Sequence, residues 1–562
     1  MIYNARFVGR HLSIILVVSA LTFLAGLGRP AITDSDEAFY AEAAREMVVS
    51  GDWLTPRFNF EERFQKPILY YWLAGGLYWL AGVSEAAARL PSALSGLLIA
   101  VLTYLCGRRW LGGRAGFAGA LVVATSFGTF AMARLALPDL PLACFITAAI
   151  WALAEAQFAA AHERSAVRAW LLMASAALAL GFLTKGPVGV AIPLLVWLCL
   201  LPLGPRGRRF RLPGAPSDWL LGAAVFVALS MPWYLAMAQH HGLDYIYRFF
   251  VGENLERFAT SRYNEPRSVL FYVPIVFGGL LPWSPVIALW LGTARRVVGR
   301  ARSLDTREWA LVAWAGAPLV FYSLSIGKQP RYVLPALPPL ALLIGATVAA
   351  RLDRAAKRGR RDIGLAWCTT VSGFALIAVF FLFLRLRPVL ATVSGAGAVG
   401  ASVLLLAAAA ATFAAAWWLP QEWMVATLAS ASTVTLLVLQ FAVYSMAGPE
   451  PVETIARRAL ADAPVARSGT YRVFVRNLVF YTGRRQEDLT SEDEAVTFLR
   501  NAERVHCVME ADALPAVERR LGRPLLRVAE VPYFNVARLR LGTFFRLGSQ
   551  LPVERVVLVA NR

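Results

Sequence analysis

A 562-residue chain with 58% hydrophobic and only 16% charged residues carries too much apolar surface for one water-soluble domain. Several windows are long and nearly uncharged, the length a helix needs to cross ~30 Å of hydrocarbon, so the sequence reads as a polytopic α-helical membrane protein. A net charge of +20 would point to nucleic acid in a soluble protein, but here most of it sits in short loops and reports topology, while five cysteines without a spacing pattern indicate neither a disulfide framework nor a metal cluster.

The first apolar segment, 11–28, follows Arg6 and Arg10 and has no small-residue cleavage site before polar sequence begins, so it is expected to be a retained anchor helix. A polar stretch rich in carboxylates, Asp34 to Pro67, comes next. Asp34 and Glu37 have capping-box spacing, and Phe39, Ala43 and Met47 with Tyr40, Ala44 and Val48 predict one apolar face of an interfacial helix. Further apolar segments lie near 68–82, 86–107, 115–133, 138–160, 168–184, 187–202, 217–235, 268–293, 307–325, 331–350, 362–386, 396–418 and 423–447. Arginine-rich loops around 108–114, 164–168, 206–211, 295–302 and 351–361 are separated by pairs of crossings and so share the cytoplasmic face. Three segments separate Arg10 from Arg108, an odd number. The short, Tyr- and Trp-rich 68–82 is therefore assigned to the outer interface, leaving about 13 transmembrane helices. Residues 1–447 form the membrane domain, with outer loops at 29–85 and 236–267. From 448 the composition becomes that of a soluble α/β domain on the outer side, with strands expected at 471–475, 505–509, 525–530 and 534–539 and a helix near 491–504.

Parity gathers unusual residues on the outer face. Of 56 Lys and Arg residues, the lysines are Lys66, Lys185, Lys328 and Lys357, and the first three lie there, two of them in loops of a few residues. Cations in short outer loops oppose the orientation rule, and an anionic phosphate ligand would compensate them; snorkelling to ordinary headgroups is the plain alternative. Two separate carboxylates, Asp36 and Asp139, stand beside these lysines, with Glu37 next to the first. Carboxylates that orient or deprotonate an acceptor, with cations holding a leaving phosphate, fit glycosyl transfer; Asp139 read plainly is the N-cap of the following helix. Arg331 and Tyr332 complete a basic-aromatic cluster with Lys328. Tyr40, Arg57, Glu253, Arg257 and Arg262 are further candidates for substrate contact. The His240–His241 pair and the Asp34/Asp36 pair leave a divalent metal open, although a lipid-phosphate donor requires no cofactor. A lipid transporter is the competing class, but it predicts charges near mid-membrane and inverted repeats, and the notable charges here cluster at one interface.

The motifs DSDEAFYAEAAREM, GDWLTPRFN, QKPILYYW, RLPSALSGLL, RLALPDLPL, GFLTKGP and KQPRYVLPALPPLALL resemble those of GT-C type polyprenyl-phosphate-sugar glycosyltransferases, nearest to the 4-amino-4-deoxy-L-arabinose lipid A transferases, over roughly the first 350 residues. The resemblance implies a GT-C fold in the bacterial inner membrane, with a periplasmic site that moves aminoarabinose from undecaprenyl phosphate to a lipid A phosphate and so confers polymyxin resistance. The same chemistry with another sugar or a protein acceptor is the alternative. It further implies that Asp36 is the catalytic aspartate, Asp139 the second acid and Lys66 the loop lysine, with Lys328, Arg331 and Tyr332 in the later basic-aromatic motif. Gln65 stands where the family has an acid, which weakens a metal site there.

Overall fold

The structure is a computed structural model describing residues 2–159, 163–203, 211–256, 267–298, 306–386, 395–443, 450–534 and 553–562. Nine helices among them are long and apolar enough to cross a membrane, and the pair Gly113–Thr125 and Phe127–Ala133, bent by 55°, makes a tenth if taken as one span. The expectation of about 13 crossings counts shorter and broken segments as well. Residues 268–293, read as one crossing, divide into Val269–Phe271, Tyr272–Gly279 and Pro285–Val298, and Val188–Leu200 has only 13 residues. The helix Leu69–Ala81, 13 residues long, reaches ~20 Å at 1.5 Å per residue, too short to span. It buries Tyr70, Tyr71 and Tyr78 against its neighbours and leaves Trp79 and Leu80 exposed.

Small residues let the spans approach closely, as association in lipid requires. A Cβ on Gly345 would stand 2.4 Å from the Ala115 carbonyl oxygen, and one on Gly116 would stand 2.5 Å from the Arg108 nitrogen. Among the described residues, the arginine-rich loops 108–114, 164–168 and 351–361 are tied by Arg114–Asp353 at 2.6 Å, Arg351–Asp362 at 2.8 Å and Arg168–Asp218 at 2.7 Å, at one end of the bundle.

The helix Asp36–Ser50 lies at the opposite end. Its N-cap is Ser35, whose hydroxyl accepts from the Glu37 amide at 3.3 Å, and it stops at Gly51 in the left-handed region (φ 72°). The capping-box expectation was therefore one residue early. Asp34 instead accepts from the Arg476 amide at 2.8 Å. The helix is also more enclosed than a simple interfacial one, because Ala38, Tyr40, Ala41, Ala43, Ala44 and Met47 are all buried.

The C-terminal part forms a five-stranded mixed sheet in the order Gln486–Leu489, Arg467–Tyr471, Val505–Glu510, Val553–Ala560, Leu526–Phe534. The first three strands pair in parallel and the last two join antiparallel. Four strands and a helix were expected. The structure adds Gln486–Leu489 and Val553–Ala560, moves the first strand to 467–471 and shortens the helix to Glu492–Leu499. One strand, Leu526–Phe534, begins where 525–530 was expected and runs to 534; the rest of the expected 534–539 strand lies outside the described residues. This module sits on the first loop. Asn477 donates to the Ile32 carbonyl at 2.9 Å, and the Tyr481 hydroxyl accepts from the Ile32 amide at 2.7 Å and donates to Glu85 at 3.0 Å. Asn59 exchanges two 2.8 Å bonds with the Gln486 backbone.

Candidate active site

Four chain segments meet where the bundle faces this module. Asp36 opens its helix because Ser35 caps it. Arg331 follows Pro330 in the tight turn Pro330–Ala336, Asp139 opens the helix Asp139–Phe158, and Lys185 closes the helix Arg164–Lys185. An Arg331 Nη–H donates to Asp36, and the Arg331 Nε stands 3.4 Å from an Asp139 oxygen. The other Asp139 oxygen accepts from Lys185 Nζ at 2.6 Å, and that ammonium lies 4.8 Å from the centre of the Tyr332 ring. Negative and positive groups thus alternate from Asp36 through Arg331 and Asp139 to Lys185, with no net charge. Asp139 is only 5% exposed, whereas the Asp36 side chain is 48% exposed and open to a substrate. Burial pushes the Asp36 carboxyl up, but the Arg331 guanidinium overrides this and holds it below its ordinary value, ionised at neutral pH. The Arg331 Nε is buried and makes no hydrogen bond, its Asp139 partner standing 3.4 Å away. Lys66 lies 3.7 Å from Glu253, pairing the first loop with the loop after helix Pro216–His241.

Other expected site residues take different places. Glu37 is fully buried and occupied. Its oxygens accept from Arg89 at 2.8 and 3.2 Å, from the Thr33 amide and hydroxyl at 2.9 and 3.0 Å, and from the Ala136 amide at 2.9 Å. A carboxylate so saturated positions the loop and has no free lone pair for chemistry. Lys328 is buried, and its ammonium donates to the Ser325 carbonyl within its own turn. Arg57 is half-buried on the hairpin 57–62, 3.5 Å from Asp52. Tyr40 is buried between the Tyr70 and Tyr71 rings, 5.5 and 5.6 Å away. Arg257 and Arg262 lie outside the described residues. His241 bonds Thr55 at 2.8 Å, and among the described residues no three His, Cys, Asp or Glu side chains converge as a metal site would need. Asp34 and Asp36 turn to different partners, Arg476 and Arg331, so this DxD pair does not close on one ion.

Three arginines went unremarked in the sequence. Arg89 binds Glu37 and also donates to the carbonyls of Leu27, Pro30 and Ala31 at 3.0, 2.6 and 2.8 Å. Arg134 closes the end of the first helix through the carbonyls of Thr22, Phe23 and Ala25. Arg63 lies over the Phe39 ring at 3.9 Å. Arg89 and Arg134 open the motifs RLPSALSGLL and RLALPDLPL; an arginine beside a long apolar run was the available signal, since such a charge needs internal acceptors.

A family model described as dolichyl-phosphate-mannose-protein mannosyltransferase matches residues 13–246. The chain is 32% identical over 333 residues to the undecaprenyl phosphate-alpha-4-amino-4-deoxy-L-arabinose arabinosyl transferase of Edwardsiella ictaluri, covering 59% of this chain and 58% of that one. It is 32% identical over 389 residues to a Pseudomonas fluorescens protein of that name, covering 67% and 62%. The chain therefore spans about three fifths of the length of the curated relatives it matches. The crystal structure of ArnT from Cupriavidus metallidurans bound to undecaprenyl phosphate superposes with a TM-score of 0.75 at 22% identity, covering 98% of each chain. The oligosaccharyltransferase of Archaeoglobus fulgidus superposes at 0.52 with 12% identity, covering 90% of this chain and 69% of that one.

Proposed function

We propose that this chain, whose fold is that of the GT-C glycosyltransferases, transfers 4-amino-4-deoxy-L-arabinose from undecaprenyl phosphate to a lipid A phosphate on the periplasmic side of the bacterial inner membrane, and so confers resistance to polymyxin and cationic peptides. The observation that carries the reading is the Asp36–Arg331–Asp139–Lys185 array, at the bundle end opposite the arginine-rich loops.

The reaction needs one bond made and one broken. An oxygen of the acceptor phosphate attacks the anomeric carbon, the bond from that carbon to the donor phosphate oxygen breaks, and undecaprenyl phosphate leaves as an anion. The acceptor is already ionised, so no proton has to move. Lys185 and Arg331 are the cations that would receive the leaving phosphate, Arg331 through an Nε–H that makes no hydrogen bond within its 3.4 Å ion pair with Asp139. As Arg331 turns to the phosphate, Asp36 is released to face the positive charge developing on the sugar ring or its amine. Lys66 assists from the first loop.

The names of the relatives support this choice of sugar and donor. The mannosyltransferase family model is the observation that favours a second reading, transfer of another sugar to a protein hydroxyl, in which Asp36 would be the general base. Mass spectrometry of lipid A from cells with and without the gene separates them. A pentosamine increment that disappears with Asp36→Asn, at equal expression, is the expected outcome. Lipid A unchanged by the gene defeats the proposal.

A further inference from the structure

At the arginine-rich end, opposite the candidate active site, a cleft of about 710 Å³ opens between the first helix, the helix Gly113–Thr125, the end of Leu337–Arg358 and the start of Met424–Val438. Its floor is apolar, formed by Phe117, Val348, Leu352 and Val425, and its rim carries Arg114, paired with Asp353 at 2.6 Å, and Arg360, both exposed. Arg361 also lines it but is committed to the carbonyls of Ala415, Ala416 and Leu419, and Asp353 and Glu422 temper the positive rim. His11, in the wall, is stacked on Phe117 at 4.2 Å; it is only 7% exposed, and its Nδ1 is buried without a hydrogen-bond partner. Tyr104, whose ring meets His11 at 5.6 Å, likewise has a buried hydroxyl without a partner.

A second observation fixes the depth. Trp367, Trp418 and Trp423 are 58%, 79% and 59% exposed around the same end, and exposed indoles settle at the headgroup level of a bilayer. The cleft mouth therefore sits among headgroups while its floor faces acyl chains.

We propose that this cleft is a binding site for an anionic diacyl phospholipid of the leaflet opposite the active site. The phosphate sits between Arg114 and Arg360, a headgroup or ester oxygen meets the orphaned His11, and an acyl chain covers Phe117, Leu352 and Val425. The size suits part of a lipid, since small-molecule sites run from about 300 to 1,000 Å³. Two rim arginines supply the charge complementarity that basic interhelical pockets use to select acidic lipids.

The test is native mass spectrometry of the delipidated full-length protein titrated with phosphatidylglycerol, phosphatidylcholine or undecaprenyl phosphate. Phosphatidylglycerol is expected to bind in preference to phosphatidylcholine. The Arg114→Ala/Arg360→Ala double variant should weaken it roughly thirtyfold, from two surface cations. Ala426→Trp, at an exposed lining position, should block it while leaving the arginines in place. Equal binding of the two phospholipids, phosphatidylglycerol binding untouched by both variants, or a variant-sensitive site that takes only undecaprenyl phosphate would each overturn the proposal. None of these readouts depends on sugar transfer, so the site can fail while the proposed reaction stands.

Discussion

Arg89 and Glu37 show how single side chains place the candidate active site. The pair is buried, and each partner uses its remaining hydrogen-bonding capacity on backbone, that of residues 27–33, which lead into Asp36, and of Ala136, which precedes Asp139. Removing one partner leaves the other charge buried, so Arg89→Ala should cost about 3–5 kcal/mol and lower Tm in a thermal-unfolding assay of the detergent-solubilised protein. Replacing both by a hydrophobic pair should cost less in stability while still impairing transfer, because register, not net energy, is what the pair supplies. Glu46 titrates in the opposite sense to Asp36. Burial first, and then the hydrogen bond and charge of Glu42, push its carboxyl from 4.5 up to about 8. The folded chain therefore holds this proton more tightly than the unfolded chain. Its contribution is fully present below 4.5 and lost as pH rises through about 8. Glu46→Gln should raise Tm above that window and leave it unchanged at acid pH.

At the scale of elements, the first loop is held from two sides. Beneath it, Leu69–Ala81 packs on Asp36–Ser50; above it, Asn477, Tyr481 and Gln486 bind residues 32 and 59. The C-terminal module thus holds the segment that carries Asp36. Asn477→Ala should lower kcat for transfer several-fold with little change in Tm, because it loses about 1 kcal/mol of hydrogen bonding at a loop that must be held in place. Within the bundle, Gly345→Leu should expel the Gly113–Thr125 helix from its groove, and about 1–3 kcal/mol of overpacking or more is expected as a lowered Tm.

For the whole molecule, sidedness is the property that joins the two ends. A cysteine introduced at Phe60, which is 45% exposed, should react with a membrane-impermeant maleimide in intact spheroplasts, and labelling only after lysis would place the candidate active site on the wrong side. Much of this organisation was legible in the sequence. Hydrophobic length gives the membrane class, arginine-rich loops give one end of the bundle, and the rarity of lysine marks Lys66 and Lys185 at the other; each of these signals is local and additive along the chain. What only tertiary structure decided is which charges meet. Asp36 and Arg331 are 295 positions apart, and their pairing depends on how helices cross. The same is true of Glu37, which pattern alone left among the reactive acids and which packing turned into a fully bonded strut. Lys328 was sorted to the outer face by parity and then turned inward by its own tight turn. Apolar periodicity is set by the solvent that each segment meets, so one sequence is enough to read it. The partner of a buried charge is set by the fold as a whole, because only there does a second charge come within reach before water does.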